Sequence, residues 1–178
     1  MILTASEILK RLDKDIIITP FNVKHLAVNS VDLTLDKTLK VYTTPVLDFK
    51  KANTTMDMVI PEDGLVLQPG RVYLGQTVEY TETNNLVPVL YGKSSTGRLG
   101  LFVHVTAGFG DIGYKGTWTL ELVATQPVKV YPNMKVCQII YHTIEGSSLK
   151  KYKGKYQGAR EVIASKSFED FNSDTDKK

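Results

Sequence analysis

From Ser30 onward the apolar residues come in short runs, several alternating with polar ones, and turn signals separate the runs. Val31-Asp32-Leu33-Thr34-Leu35 alternates, and Leu39-Lys40-Val41-Tyr42 does so more briefly. A two-residue period suits a strand that buries one face. Glu62-Asp63-Gly64 and Gln68-Pro69-Gly70 punctuate as turns, beside Leu65-Val66-Leu67 and Val72-Tyr73-Leu74. Further strands fit Val89–Tyr91, Thr117–Val123, Val128–Tyr131 and Val136–His142. Many short strands at this spacing argue for a β-barrel or a sandwich. Before them, Thr4-Ala5-Ser6-Glu7 has the capping-box pattern, and Ile8, Leu9 and Leu12 follow at helical spacing. A short amphipathic helix is predicted from about Ala5 to Leu12, packed on a sheet.

The 178 residues, 42% hydrophobic and 23% charged, suit one globular domain over 1–178. No repeat and no linker divides the chain. Residues 146–158 hold Gly, Ser, Lys and Tyr with little apolar material, so a mobile carboxyl-terminal segment is expected from about 147. The tail from Ser167 is polar and is expected to fray. The single cysteine, Cys137, excludes an intramolecular disulfide and, with no signal-peptide pattern, points to the cytoplasm. No apolar run is long enough to span a membrane as a helix. A net charge of +3 with scattered lysines does not indicate a nucleic-acid binder.

Gly92-Lys93-Ser94-Ser95 looks like the end of a phosphate-binding P-loop. That loop needs a glycine five residues earlier, where this chain has Val87 followed by Pro88, and it must open a helix, whereas the sequence downstream reads as β-rich. The P-loop reading fails. A zinc site fails too: His25, His104 and His142 are far apart, and no Cys-x-x-Cys accompanies them. All three histidines read as structural, and Cys137 lies in an apolar strand unsuited to a nucleophile.

Lys93, Ser94, Ser95 and Arg98 offer cations and hydroxyls that suit phosphate oxygens, or equally a solvated turn; the residues alone leave both open. The segment from Thr106 to Gly116 is a glycine-rich hairpin carrying Asp111, Phe109 and Tyr114. Its glycines permit close approach to a ligand, its acid can bind a sugar hydroxyl, and a ring can stack on the sugar. Glu121 sits in the apolar strand Trp118-Thr119-Leu120-Glu121-Leu122-Val123 and points away from Leu120 and Leu122. If that face is covered, the carboxylate becomes a general-base candidate; if not, it is an ordinary surface glutamate.

"NSVDLTLD", "LQPGRVYLGQTVEY", "GKSSTGRLGLFVHVTAGFGDIGYKGTWTLEL" and "NMKVCQIIY", in that order, resemble the motifs of the dCTP deaminase and trimeric dUTPase superfamily. "GKYQG" resembles its closing nucleotide-clasp motif, and "MILTASEILKRL" is typical of the deaminase branch. The resemblance implies a mostly β subunit with short helices, a distorted, jelly-roll-like β-barrel, and a homotrimer with nucleotide sites between subunits. Lys93, Ser94, Ser95, Thr96, Gly97 and Arg98 would meet phosphate and catalytic groups. Asp111 would bind the deoxyribose 3′-hydroxyl, and Tyr114 would pack on the sugar. Thr119, Leu120 and Glu121 would line the base, and Gln138, Tyr152 and Lys155 would complete the contacts. Magnesium would be held through the triphosphate, with no zinc and no metal site of the protein's own.

Within that superfamily, plain dUTPases usually lack the glutamate found here as Glu121. Deaminases carry it, as the acid–base group for hydrolysis at C4 of cytosine, with Ser94 and Arg98 orienting the water. Relatives that only deaminate often have His-Arg after the Thr-Ala pair, whereas this chain has Gly108-Phe109, and Gln138 also fits the bifunctional members. The resemblance therefore implies a dCTP deaminase that goes on to dUMP and pyrophosphate, with Asp111 also positioning the second water. A deaminase that stops at dUTP, or a nucleotide-binding regulatory trimer, are the other readings. Three positions depart from the family: Gly110 replaces a branched aliphatic residue, Ile112 replaces Pro or Ala, and Ala159 stands in place of a glutamine. Gln157 or Arg160 is the candidate substitute for that last side chain.

Overall fold

The computed structural model describes residues 1–104, 106–148 and 150–175. The chain opens with helix α1 (Ala5–Arg11), then strands β1 (Ile16–Thr19), β2 (Val31–Thr34), β3 (Thr38–Tyr42) and β4 (Thr55–Val59). β5 (Leu65–Leu67), β6 (Val72–Gln76), β7 (Tyr80–Thr83) and β8 (Leu86–Gly92) lead to a short helix α2 (Ser94–Arg98). β9 (Leu101–Val103), β10 (Lys115–Gly116), β11 (Thr119–Ala124), β12 (Val128–Val130) and β13 (Lys135–Thr143) follow, and α3 (Ser167–Thr175) ends the described chain.

The strands form four antiparallel sheets, ordered β1-β7-β10, β4-β3-β6-β11-β9, β12-β5 and β2-β13-β8. They do not close into one cylinder but wrap a common core, which is the distorted barrel the sequence implies. Leu33, Leu35, Leu39, Leu120, Leu122, Val130 and Ile139 are all fully buried in that core. Each such side chain contributes roughly 1.5–3 kcal/mol over its exposed state. α1 ends one residue earlier than expected. Thr4 is its N-cap, but the Thr4 hydroxyl pairs with Ser6 Oγ and Glu7 pairs with Lys10, so the reciprocal capping box does not form.

Pro88 sits inside β8, where a proline needs a place without a ladder donor. β13 lies on one side of β8. On the other side the start of the glycine-rich hairpin runs along it, with Leu90 N–H donating to Gly108 and Gly110 N–H donating to Pro88. The Pro88 nitrogen faces that same side, at the point where the hairpin leaves. Glycine is required at both contacts: a Cβ on Gly108 would stand 2.3 Å from the Leu90 oxygen, and one on Gly110 would stand 2.5 Å from the Trp118 ring. Gly110 is thus explained by its neighbour Trp118, whose indole fills the space of a branched side chain.

The segment expected to be mobile lies against this hairpin. Tyr152 N–H donates to Ile112 O (2.8 Å), Gly158 N–H to Lys115 O (2.8 Å) and Thr117 N–H to Ala159 O (2.9 Å). The tail from Ser167 is helical through Thr175, where a frayed end was expected.

Candidate active site

β11 carries the site because of its register. Glu121 pairs with Leu74 and Thr119 with Gln76 on β6, while Leu120 and Leu122 point into the core. A slip of one residue would exchange these faces and bury the carboxylate among leucines. In front of the outer face lies a cleft of about 460 Å³. Asp111, Tyr114, Thr119, Glu121 and Tyr152 line it, together with Trp118, Tyr42, Leu74 and Ile163. Leu120 is fully buried, so its side chain faces the core, and it does not line the cleft.

Asp111 is exposed at the cleft wall. Tyr114 is buried, with its ring 4.4 Å from that of Trp118 and 5.8 Å from that of Tyr152. Its hydroxyl donates to Thr117 O at 2.6 Å, and burial pushes the phenol well above its usual range. The tail closes one side of the cleft: Ile163 N–H donates to Thr119 Oγ1 and Ser165 N–H donates to the Tyr42 hydroxyl. Neither candidate substitute for the glutamine replaced by Ala159 lines the cleft. Gln157 spends its amide on Gly113 O and Lys115 N–H, and the Arg160 guanidinium stacks 3.6 Å over the Tyr80 ring.

His104 belongs to this site, although the sequence reads it as structural. It is half-buried, with its side chain 8% exposed, and sits at a positive φ of 53°; its Nδ1 is 2.6 Å from Glu121 Oε2 and its amide donates to Glu121 O at 3.0 Å. Among the described residues Nδ1 has no well-aligned hydrogen-bond partner, so the carboxylate contact is close but off the hydrogen-bond axis. The signal that could have found it is the alignment of β9 with β11, where Val103 pairs with Leu122 and brings the next residue to Glu121. The Glu121 side chain is 42% exposed, so the described residues of this chain do not supply the covering that would make it a buried base.

The serine segment stands apart from this cleft. Lys93, Ser94, Ser95, Thr96, Gly97, Arg98, Gln138 and Lys155 do not line it. Ser94, Ser95 and Arg98 are exposed on α2, and Thr96 is buried beneath it. Lys93 pairs with Asp32, which also takes Lys135 at 3.1 Å. Burial raises the Asp32 carboxyl, but the two lysines outweigh it and hold the group below its ordinary range. Gln138 accepts from Ser30 Oγ at 2.8 Å and donates to Gly92 O. Lys155 is held by Asp170 at 2.6 Å, which raises its pKa.

The family model for dCTP deaminase-like proteins matches residues 2–144. A Hathewaya histolytica protein named dCTP deaminase, dUMP-forming, is 54% identical over 171 residues, covering 96% of this chain and 99% of its own. Relatives of the same name from Leptospira biflexa (53% identical, 98% of that chain covered) and Cytophaga hutchinsonii (51%, 99%) also span 96% of this chain. Among solved structures, a 2′-deoxycytidine 5′-triphosphate deaminase from Agrobacterium tumefaciens superposes with a TM-score of 0.63. It is 21% identical and covers 80% of this chain and 48% of that longer one, a likeness of fold. The barrel, the ordered motifs and these relatives together show that the chain belongs to the dCTP deaminase-like family.

Proposed function

We propose that the protein deaminates dCTP and hydrolyses the product to dUMP, acting as a homotrimer in the cytoplasm. The observation that carries this reading is Glu121 on the wall of a cleft of about 460 Å³ that Asp111 and Tyr114 also line. Relatives at about this identity, all named dUMP-forming, support the second step. In the first step Glu121 takes a proton from water as its oxygen bonds to C4 of cytosine. That proton passes to ring N3, and Glu121 then carries the proton of the new C4 hydroxyl to the amino nitrogen, which leaves as ammonia while the C4 carbonyl forms. In the second step a water aligned by Asp111 attacks the α-phosphorus and pyrophosphate leaves.

Ser94 and Arg98 are read as serving a neighbour's cleft. Three observations support this: they stand away from their own cleft, Glu121 is half-exposed in one subunit, and exposed Leu99, Tyr91 and Phe102 surround the serine segment. Magnesium is read as held by triphosphate oxygens, where it would offset the charge on the leaving pyrophosphate. The carboxylate paired with Lys93, Asp32, is already taken by two lysines, which supports a region that offers cations and hydroxyls to the phosphates.

Incubation with dCTP and magnesium, with products separated by phosphate number, tests the reading. It should give dUMP, pyrophosphate and ammonia with little free dUTP. Stoichiometric dUTP without pyrophosphate would instead show an enzyme that stops after deamination.

A further inference from the structure

β13 contains a bulge whose position has a use. Gln138 pairs with Asp32 and Cys137 with Leu33, but Lys135 pairs with Thr34, so Lys135 and Val136 together oppose one residue. In a regular strand Lys135 would share the face of Cys137, which is fully buried in the core. The extra residue turns Lys135 to the face of Asp32 and leaves Val136 and Cys137 both buried in succession. The result is a carboxylate gripped from two sides. Lys93, the residue just before Ser94, holds one oxygen of Asp32, and Lys135 Nζ stands 3.1 Å from the other. The Asp32 side chain is 10% exposed and those of the lysines are 22% and 40%, so the acid is covered and the cations are its outward face.

We propose that Lys93 and Lys135 form a two-cation clamp for the polyphosphate of the nucleotide, with Asp32 as the positioning residue that sets their spacing. The proposal rests on the reading of the serine segment as the phosphate side of the site, and it adds Lys135 and Asp32 to it. Two ammoniums against one carboxylate leave one net positive charge. Both ammoniums are already drawn to a single pair of oxygens, so their orientation is settled before a phosphate arrives. A second cation rewards a chain of phosphates more than a single one. The clamp therefore selects triphosphates over monophosphates, which is what an enzyme consuming dCTP in a pool containing its own product dUMP requires.

Inorganic tripolyphosphate, which has neither base nor sugar, is the direct probe, titrated calorimetrically into the full chain at low ionic strength. Lys135→Met should weaken its binding about tenfold, the loss of one charge-assisted contact, and Lys135→Arg should recover most of it. Binding of dCMP should fall less than about threefold. Asp32→Asn should also weaken tripolyphosphate, although it removes a negative charge; a bystander carboxylate would give the opposite sign. Unchanged binding in Lys135→Met, equal losses for dCMP and tripolyphosphate, or tighter binding in a folded Asp32→Asn would each overturn the clamp. Circular dichroism reports whether Asp32→Asn folds, and if it does not, Lys135→Met decides alone. Because the probe is not a substrate, failure of dCTP turnover in the parent chain would sink the deaminase reading and leave this result standing.

Discussion

His104 and Glu121 touch twice, once through the backbone at 3.0 Å and once through side chains at 2.6 Å. The amide contact fixes where His104 leaves β9, and the imidazole then stands against the carboxylate at the cleft wall. Glu121 is thus held by its strand, by Leu74 beside it and by a buried ring.

Glu121→Gln should keep the fold and nucleotide binding while deamination falls by at least about a hundredfold, because an amide keeps the shape and loses the base. Ammonia release from dCTP measures the rate, and calorimetry with a nonhydrolysable dCTP analogue measures binding. Deamination near the parental rate would remove Glu121 from its assigned role.

Mixing Arg98→Ala subunits with Glu121→Gln subunits should regenerate some intact sites if each site combines α2 of one subunit with the cleft of another. Each variant alone should be inactive. Subunit exchange followed by native mass spectrometry, with no activity recovered, would show that the site lies within one chain.

Gly110→Val should destabilise the protein by about 1–3 kcal/mol, as overpacking of a filled core does, because the new side chain meets the Trp118 ring. Thermal unfolding reads the loss. Pairing Gly110→Val with Trp118→Ile should recover stability relative to Gly110→Val alone, since the smaller residue vacates the same space.

Asp32 makes stability depend on pH in a known direction. Its carboxyl is held below the ordinary range in the folded chain by Lys93 and Lys135. The stabilisation is therefore complete above the unfolded value of about 3.9 and is lost as pH falls through the lower folded value. Asp32→Asn should flatten the acid limb of the unfolding free energy below about pH 4, measured by urea melts across pH. An unchanged acid limb would mean that the lysine contacts do not outlast solution conditions.

Much of the barrel is legible because its strands alternate. Leu65–Leu67 appears with its expected bounds, and β11 and β13 differ from expectation by one or two residues at an end. β1 and β4 escaped for opposite reasons. Ile16-Ile17-Ile18 is a continuous apolar run with no period, and Thr55–Val59 has side chains open to solvent along both faces. At the site, the alternation of β11 announces which way Glu121 points, and the hairpin composition announces Asp111 and Tyr114. His104 could not be found this way, because its role depends on a strand pairing and a positive φ that no local pattern encodes. Lys135 was hidden by the bulge: counting by twos puts it on the wrong face. The tail was read as mobile because it is poor in apolar residues, but it attaches through amides, which composition does not record.

That attachment has an evolutionary consequence. Tyr152 and Ala159 meet the hairpin and the residue after it through main-chain groups that every residue except proline can offer in full, and only Gly158, at φ 79°, needs a particular residue. Mutation can therefore exchange side chains that line the cleft, as at Ala159, while the segment still lands in the same place. The hairpin acts as a fixed mooring, and the selectivity of the cleft is free to drift one tail residue at a time.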